Sequence, residues 1–342
     1  MNTLRVGLIG AGGISHVHAA AWRELGARVS VHSHVGAEAL AEQYGFTLAP
    51  SLDELLAAVD IVDIVTPSNT HRDLALAAIA AGKHVVCEKP LATTAEAARE
   101  IVAAAQAAGV QVYPAHVVRF FPDYSKVEEQ VTAGRIGTPA VLRFVRGGEA
   151  PRSGSWFFDE SAGGGIVLDQ MIHDLDQALW LAGPVTEVYA VQSPASVNGR
   201  VPEVVTAHVV LTHAGGAISH VQGTWGARGT VFRTSADIAG TAGVLAIDSG
   251  IDTPTLLEVP ENGDAHGYLP PAAHAESPYT TQLREIAEAF AGGPVPRVTP
   301  ADGIRAVALA EAAAESLRTG RVVGVDLAAA VAGPEVKASV EA

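Results

Sequence analysis

Lys89 ends the run Val85-Val86-Cys87-Glu88-Lys89-Pro90. The apolar part reads as a buried parallel strand, and Pro90 cannot extend it because it has no backbone donor. An ammonium at the carboxyl end of such a strand can hydrogen-bond a substrate oxygen or stabilise developing negative charge. The plainer alternative is a lysine that caps the strand and faces water. A second pair of reactive groups is Asp169 and His173, four apart on a helix expected over Ile166–Leu181. Residues at that spacing share a helix face, and a carboxylate beside an imidazole can orient the ring for proton transfer. An ordinary surface Asp–His pair would look the same. Gly163-Gly164-Gly165 just before them would let the helix start approach a ligand closely.

The chain contains 13 histidines, so a metal site has to be weighed. His16 and His18 are two apart on an expected helix and do not share a face. His32-Ser33-His34 ends an expected strand. There is neither a His-Glu-x-x-His motif nor a cysteine pair, and no catalytic metal is expected. Trp156-Phe157-Phe158 suits a core, an interface or a substrate lid equally well.

The strongest local pattern lies at the start. Leu4–Ile9 reads as a strand and runs straight into Gly10-Ala11-Gly12-Gly13-Ile14-Ser15, followed by a helix to about Leu25. Strand, glycine turn and helix form the context of a dinucleotide fingerprint. Gly10 permits the tight turn, and Gly12, with Gly13 and Ile14 behind it, brings backbone amides to a pyrophosphate. Ser15 stands where a third glycine is usual. The expected second strand, Arg28–Ser33, has no Asp or Glu after it before Glu38. A carboxylate there would hold the ribose diol of NAD. Ser33 and His34 tolerate a 2′-phosphate better, while Arg28 stands at the strand's opposite end, so the pattern leans to NADP over NAD.

These groups need elements to carry them. Ser51-Leu52-Asp53-Glu54 opens a short helix as a capping box. Asp60–Thr66 is a strand, and a helix after the turn Pro67–His71 stops at Gly82. Thr93-Thr94-Ala95-Glu96 caps an alanine-rich helix ending at Gly109, and Val110–Pro114 is the next strand. Strand and helix alternating in this way imply a parallel, doubly wound sheet. After about His116 the rhythm changes. A helix over 122–134 and a strand over 140–145 precede the aromatic loop. Strands at 185–192, 204–211, 217–224, 231–237 and 244–248 then imply a mostly antiparallel sheet. Helices at 278–291 and 300–317 and a strand at 322–325 complete it. The expected division is a dinucleotide-binding domain over 1–118, an α+β domain over 119–327 and a mobile tail over 328–342.

At 342 residues the chain can hold two cores, and 48% apolar content with 5% aromatics makes them largely aliphatic. A net charge of -15 without a basic run argues against nucleic-acid or anionic-membrane partners. The single Cys87 rules out an internal disulfide and fits a reducing compartment. Neither a signal peptide nor a membrane span is expected, so the location expected is the cytoplasm.

With Gly10–Ser15, Glu88-Lys89-Pro90, Gly163–Gly165 and Asp169-x-x-x-His173 in place, the chain resembles the Gfo/Idh/MocA oxidoreductases over about residues 4–325. The resemblance implies an N-terminal Rossmann domain and a C-terminal domain whose open sheet commonly mediates homo-oligomers. It implies NAD(P)-dependent hydride transfer at a carbinol carbon of a sugar, inositol or related polyol. Lys89 would be the catalytic lysine, with Asp169 positioning the substrate and His173 taking the proton. Thr66, Pro67, Asn69 and His71 would line the cofactor, Glu88 would sit near the nicotinamide ribose, and Lys89–Pro90 would be a cis peptide. A dinucleotide-binding sensor and an NAD-assisted lyase or glycosidase share this fold and stay open. A cofactor-free hydrolase does not fit, because the Gly-x-Ser-x-Gly elbow is missing.

Overall fold

The computed structural model describes residues 3–250 and 276–332. The first half alternates strand and helix, with α2 and β3 added to the elements that the sequence predicts: β1 (Arg5–Ile9), α1 (Gly13–Glu24), β2 (Arg28–His32), α2 (Ala37–Tyr44), β3 (Thr47–Leu48), α3 (Leu52–Ala58), β4 (Ile61–Ile64), α4 (His71–Ala80), β5 (His84–Glu88), α5 (Ala95–Ala108) and β6 (Val112–Ala115). Caps set several of these boundaries. Ser51 accepts from the Glu54 N–H at 3.2 Å and Thr94 from the Ala97 N–H at 3.1 Å. Gly109 closes α5 with φ +67°, a conformation most side chains avoid.

All strand pairs of the first sheet are parallel, in the order β3-β2-β1-β4-β5-β6. The order reverses between β1 and β4, and sheets of this kind bind their ligands outside the carboxyl ends of the strands at such a point. Aliphatic clusters cover both faces, with Leu8, Trp22, Val31 and Val86 on one side and Leu55, Ile64, Ile101 and Leu91 on the other. Strand β4 is wholly buried, including the charged Asp63.

The second half begins with α6 (Pro122–Thr132) and β7 (Pro139–Glu149), followed by α7 (Glu160–Gly163). A π-helical turn over Val167–Met171 leads into α8 (Ile172–Ala182). Strands β8 (Val185–Ser193), β9 (Val205–His213), β10 (Ile218–Gly226), β11 (Arg233–Gly240) and β12 (Val244–Asp248) come next. Helices α9 (Pro278–Phe290) and α10 (Pro300–Thr319), strand β13 (Val323–Gly324) and α11 (Leu327–Ala332) finish the described chain. The second sheet runs β12-β11-β7-β10-β9-β8-β13 and is antiparallel except between β7 and β10. Its inner face packs Leu142, Phe144, Val209, Val221 and Trp225 against α8 and α10.

Four features differ from the expectation. Strand β7 continues to Glu149, through glycines read as loop. Gly148 fits there because a Cβ would come 3.0 Å from the Phe232 ring. The expected single helix over 166–181 is split into a π turn and an α-helix. Residues 328–332 of the expected mobile tail belong to α11, and the rest of that tail lies outside the described residues. Helix α9, within the stretch assigned to the second domain, packs on α1. Its Leu283 and Ile286 join the core of the first sheet.

Candidate active site

The glycine turn sits at the carboxyl end of β1. Gly10 has φ +115°, and a Cβ there would lie 2.6 Å from the Val65 carbonyl oxygen, so only glycine fits. Its N–H donates to the His32 carbonyl at 2.9 Å, tying the turn to the end of β2. Gly12 and Gly13 are exposed and nothing lies within 4 Å of where their Cβ atoms would be. Helix α1 starts here with no side chain capping it and no acid in its first turn. Its leading amides are therefore available to an anion, which suits a pyrophosphate. The buried Ser15 donates its hydroxyl to the Gly12 carbonyl, so the serine fits at the usual third-glycine position.

The other predicted cofactor residues line the same sheet edge. Ser33 and His34 follow β2, where Ser33 Oγ donates to the Val35 carbonyl at 2.9 Å and His34 is exposed. Thr66, Pro67 and Asn69 follow β4, with the Thr66 and Thr70 hydroxyls 2.7 Å apart. His71 is buried beneath them, its Nδ1 2.8 Å from the Pro90 carbonyl and its Nε2 2.9 Å from the Thr66 carbonyl. Burial pushes this imidazole below its ordinary value, and the neutral ring donates to one of the two carbonyls. His71 thereby ties the loop after β4 to the loop after β5. The Lys89–Pro90 peptide is cis.

Lys89 extends from the end of β5 to the π turn of the other half. Its Nζ donates to the Asp169 carbonyl at 2.7 Å and to Asp169 Oδ1 at 2.9 Å. A π turn shifts the hydrogen-bond ladder by one residue, which turns backbone carbonyls toward outside partners. His173 lies on the first turn of α8, partly exposed, and its enclosed Nδ1 has no hydrogen-bond partner. The expected pairing of carboxylate and imidazole is not made at Nδ1; the four-residue spacing spans a π turn, and Asp169 is engaged by the lysine. Burial, followed by the nearby cations of Lys89 and Arg146, drives His173 well below its usual value, so the ring is neutral. His116, just beyond β6, is 1% exposed with neither ring nitrogen hydrogen-bonded and Nδ1 3.8 Å from Asp176 Oδ2, and burial lowers it too.

Sequence reasoning missed the groups that brace this site. His18 was read only as a failed metal ligand, yet it lies between two carboxylates, with Nδ1 2.8 Å from Asp63 and Nε2 3.1 Å from Glu88. Arg146 on β7 clasps Asp174 through two bonds of 2.8 Å. Arg119 clasps Asp176 at 2.8 and 2.6 Å, linking the stretch after β6 to α8. Charged residues inside apolar strands and helices were the available signal, since such groups are seldom buried unpaired. Among the described residues no cluster of three or more metal-ligating side chains occurs, and no helix is long and apolar enough to cross a membrane.

Comparison with known proteins accounts for this arrangement. The model of an oxidoreductase family with an NAD-binding Rossmann fold, GFO_IDH_MocA, matches residues 4–116, and the GFO/IDH/MocA C-terminal domain matches residues 124–246. Inositol 2-dehydrogenase 2 of Saccharopolyspora erythraea is 30% identical over 95% of this chain and 96% of its own length. Myo-inositol 2-dehydrogenase of Thermotoga maritima is 30% identical over 78% of this chain and 80% of its own. The crystal structure of GenD2, from gentamicin A biosynthesis and in complex with NAD, superposes with a TM-score of 0.83 at 27% identity. It covers 95% of this chain and 97% of that one. The glycine cradle, the parallel sheet and the second sheet behind Lys89 are thus parts of one shared architecture, and the chain belongs to the GFO/IDH/MocA oxidoreductases.

Proposed function

We propose that this oxidoreductase removes hydride from a carbinol carbon of an inositol, sugar or related polyol, with Lys89, Asp169 and His173 as its reactive machinery. The single observation that carries the reading is the approach of Lys89 Nζ to Asp169 next to a neutral His173. That constellation stands on the sheet edge that also bears the glycine cradle. A nicotinamide cofactor bound along this edge supplies the hydride acceptor. The proton side of the reaction falls to the protein. With Nδ1 enclosed, His173 takes the substrate hydroxyl proton at Nε2, and being neutral it is ready to do so. Lys89 donates to the same oxygen and stabilises its charge as the proton leaves. Asp169 holds the ammonium in place with both its side chain and its carbonyl.

Glu88, Thr66, Pro67, Asn69 and His71 line the cofactor in this reading, with Gly10, Gly12, Gly13 and Ile14 at its pyrophosphate. The ribose contacts fall to Ser33 and His34, and the nearest acid that follows them is the exposed Glu38. A site without a carboxylate does not repel a 2′-phosphate, which supports NADP alongside NAD. The outer face of the second sheet exposes Val145, Tyr189, Val191 and Ile218, which supports self-association through that face. The absence of a basic run and of paired cysteines supports a cytoplasmic enzyme acting on a small molecule.

The test is formation of reduced cofactor on a panel of inositols, sugars and polyols, with NADP and NAD in parallel. Turnover on one polyol class, at least as efficient with NADP, is expected. Binding of cofactor without turnover on any member would instead favour a sensor, and product without net reduction an NAD-assisted lyase.

A further inference from the structure

The buried side chains behind Lys89 form a continuous line of contacts. His18 lies on α1, whose first turn carries the glycine cradle, and its ring is fully enclosed. Nδ1 meets Asp63 Oδ2 of β4 at 2.8 Å, and the same oxygen accepts from Trp22 Nε1 at 2.6 Å. Nε2 meets Glu88 Oε1 at the end of β5, 3.1 Å away. The second carboxylate oxygen of Glu88 accepts the Lys89 backbone N–H at 2.9 Å. Burial alone would strip the ring of its charge, but Asp63 and then Glu88 outweigh it and hold the group up to about 10. As a cation, His18 donates through both nitrogens; a neutral ring would serve one carboxylate and leave the other uncompensated. Three elements therefore converge on a single imidazole, and the last of them is the strand end that aims Lys89.

We propose that His18 is a positioning residue of the hydride-transfer site: through Glu88 it fixes Lys89 relative to the helix that binds the cofactor. The proposal rests on the role given to Lys89 above. A purely structural ion cluster would matter for stability alone, and the two ideas part on which half of the ring matters for turnover. The amide of Gln reaches where Nε2 stands and keeps the link to Glu88; the amide of Asn ends near Nδ1 and keeps only the link to Asp63.

The experiment compares His18→Gln, His18→Asn and Lys89→Ala for kcat, KM and cofactor Kd, with circular dichroism confirming the fold. His18→Asn is expected to lose roughly 10–100-fold in kcat, as for a misplaced catalytic group, while His18→Gln stays within about threefold of wild type. Cofactor Kd is expected to stay close to wild type in both. Equal kcat in the two folded variants, beside an inactive Lys89→Ala, overturns the proposal and leaves the catalytic reading standing. An active Lys89→Ala overturns that reading, and the proposal with it. If His18→Asn does not fold, Glu88→Gln weakens the same link from the other side. It is expected to lower kcat with KM unchanged, and a wild-type kcat there overturns the proposal.

Discussion

Lys89 is held from two directions: Asp169 grips its ammonium and Glu88 its backbone N–H. In the proposed reaction its removal takes away the group that stabilises the developing alkoxide without touching the glycine cradle. Lys89→Ala is expected to lower kcat by about 10²–10³-fold, the scale of a lost oxyanion donor, with cofactor Kd nearly unchanged in a fluorescence titration. His173 makes a separate prediction. Its pKa is depressed, so the base is already neutral where an ordinary histidine is still protonated. The acid limb of the kcat/KM–pH profile should therefore fall below 6.5, and His173→Gln should abolish that limb along with most activity. At this scale the sequence disclosed residue types but few of their partners. Lys89, Asp169 and His173 stood out as candidates by chemistry and spacing. The pairing of Asp169 with Lys89 was not, because it joins residues 80 apart across two domains. His18 was overlooked for the same reason: its partners Asp63 and Glu88 lie 45 and 70 residues away.

Local elements explain why these residues meet. The glycine turn was readable because its constraint is local, a backbone at φ +115° pressed against the Val65 carbonyl. Gly10→Ala is expected to cost about 1–3 kcal/mol of stability and to weaken cofactor binding, both measurable by denaturant melts with and without NAD. The alternation of strands and helices was equally plain, since the strands carry their own periodicity and α3 and α5 their own caps. The π turn over Val167–Met171 left no such mark. It depends on packing against β10, where a Cβ on Gly223 would come 2.7 Å from Met171 Sδ. A helical pattern read at 3.6 residues per turn smooths over a single inserted residue, and the orientation of Asp169 depends on that residue.

At the level of the whole molecule, the proposed site needs the two sheets in a fixed relation, because Lys89 comes from the end of β5 and His173 from α8, which packs on the second sheet. Arg119, buried between Asp176 and the Arg297 carbonyl, is one fastening. Removing one partner of such a pair strands the other charge, so Arg119→Ala is expected to cost about 3–5 kcal/mol in chemical denaturation. The buried cation at His18 adds a pH dependence. Its value in the fold, about 10, exceeds the ordinary 6.5, so its contribution is complete below 6.5 and is lost as the pH rises through about 10. Denaturation midpoints should fall between pH 7 and 10, and His18→Gln should flatten that fall. The relation between the sheets was the least legible level. A long loop and a shift from parallel to antiparallel rhythm announce a second domain but not its orientation. Nor did the sequence reveal that α9 returns to the first core.

Hydride transfer governed by Lys89 and His173 is tested most directly by following the hydride itself. Polyols that turn over, carrying deuterium on their carbinol carbons, would be incubated with enzyme and oxidised cofactor, and the reduced cofactor analysed by mass spectrometry. Transfer of one deuterium to the nicotinamide by the wild type, lost in His173→Ala and Lys89→Ala with cofactor still bound, is the predicted result. Reduced cofactor free of deuterium, or equal transfer by either variant, would contradict it.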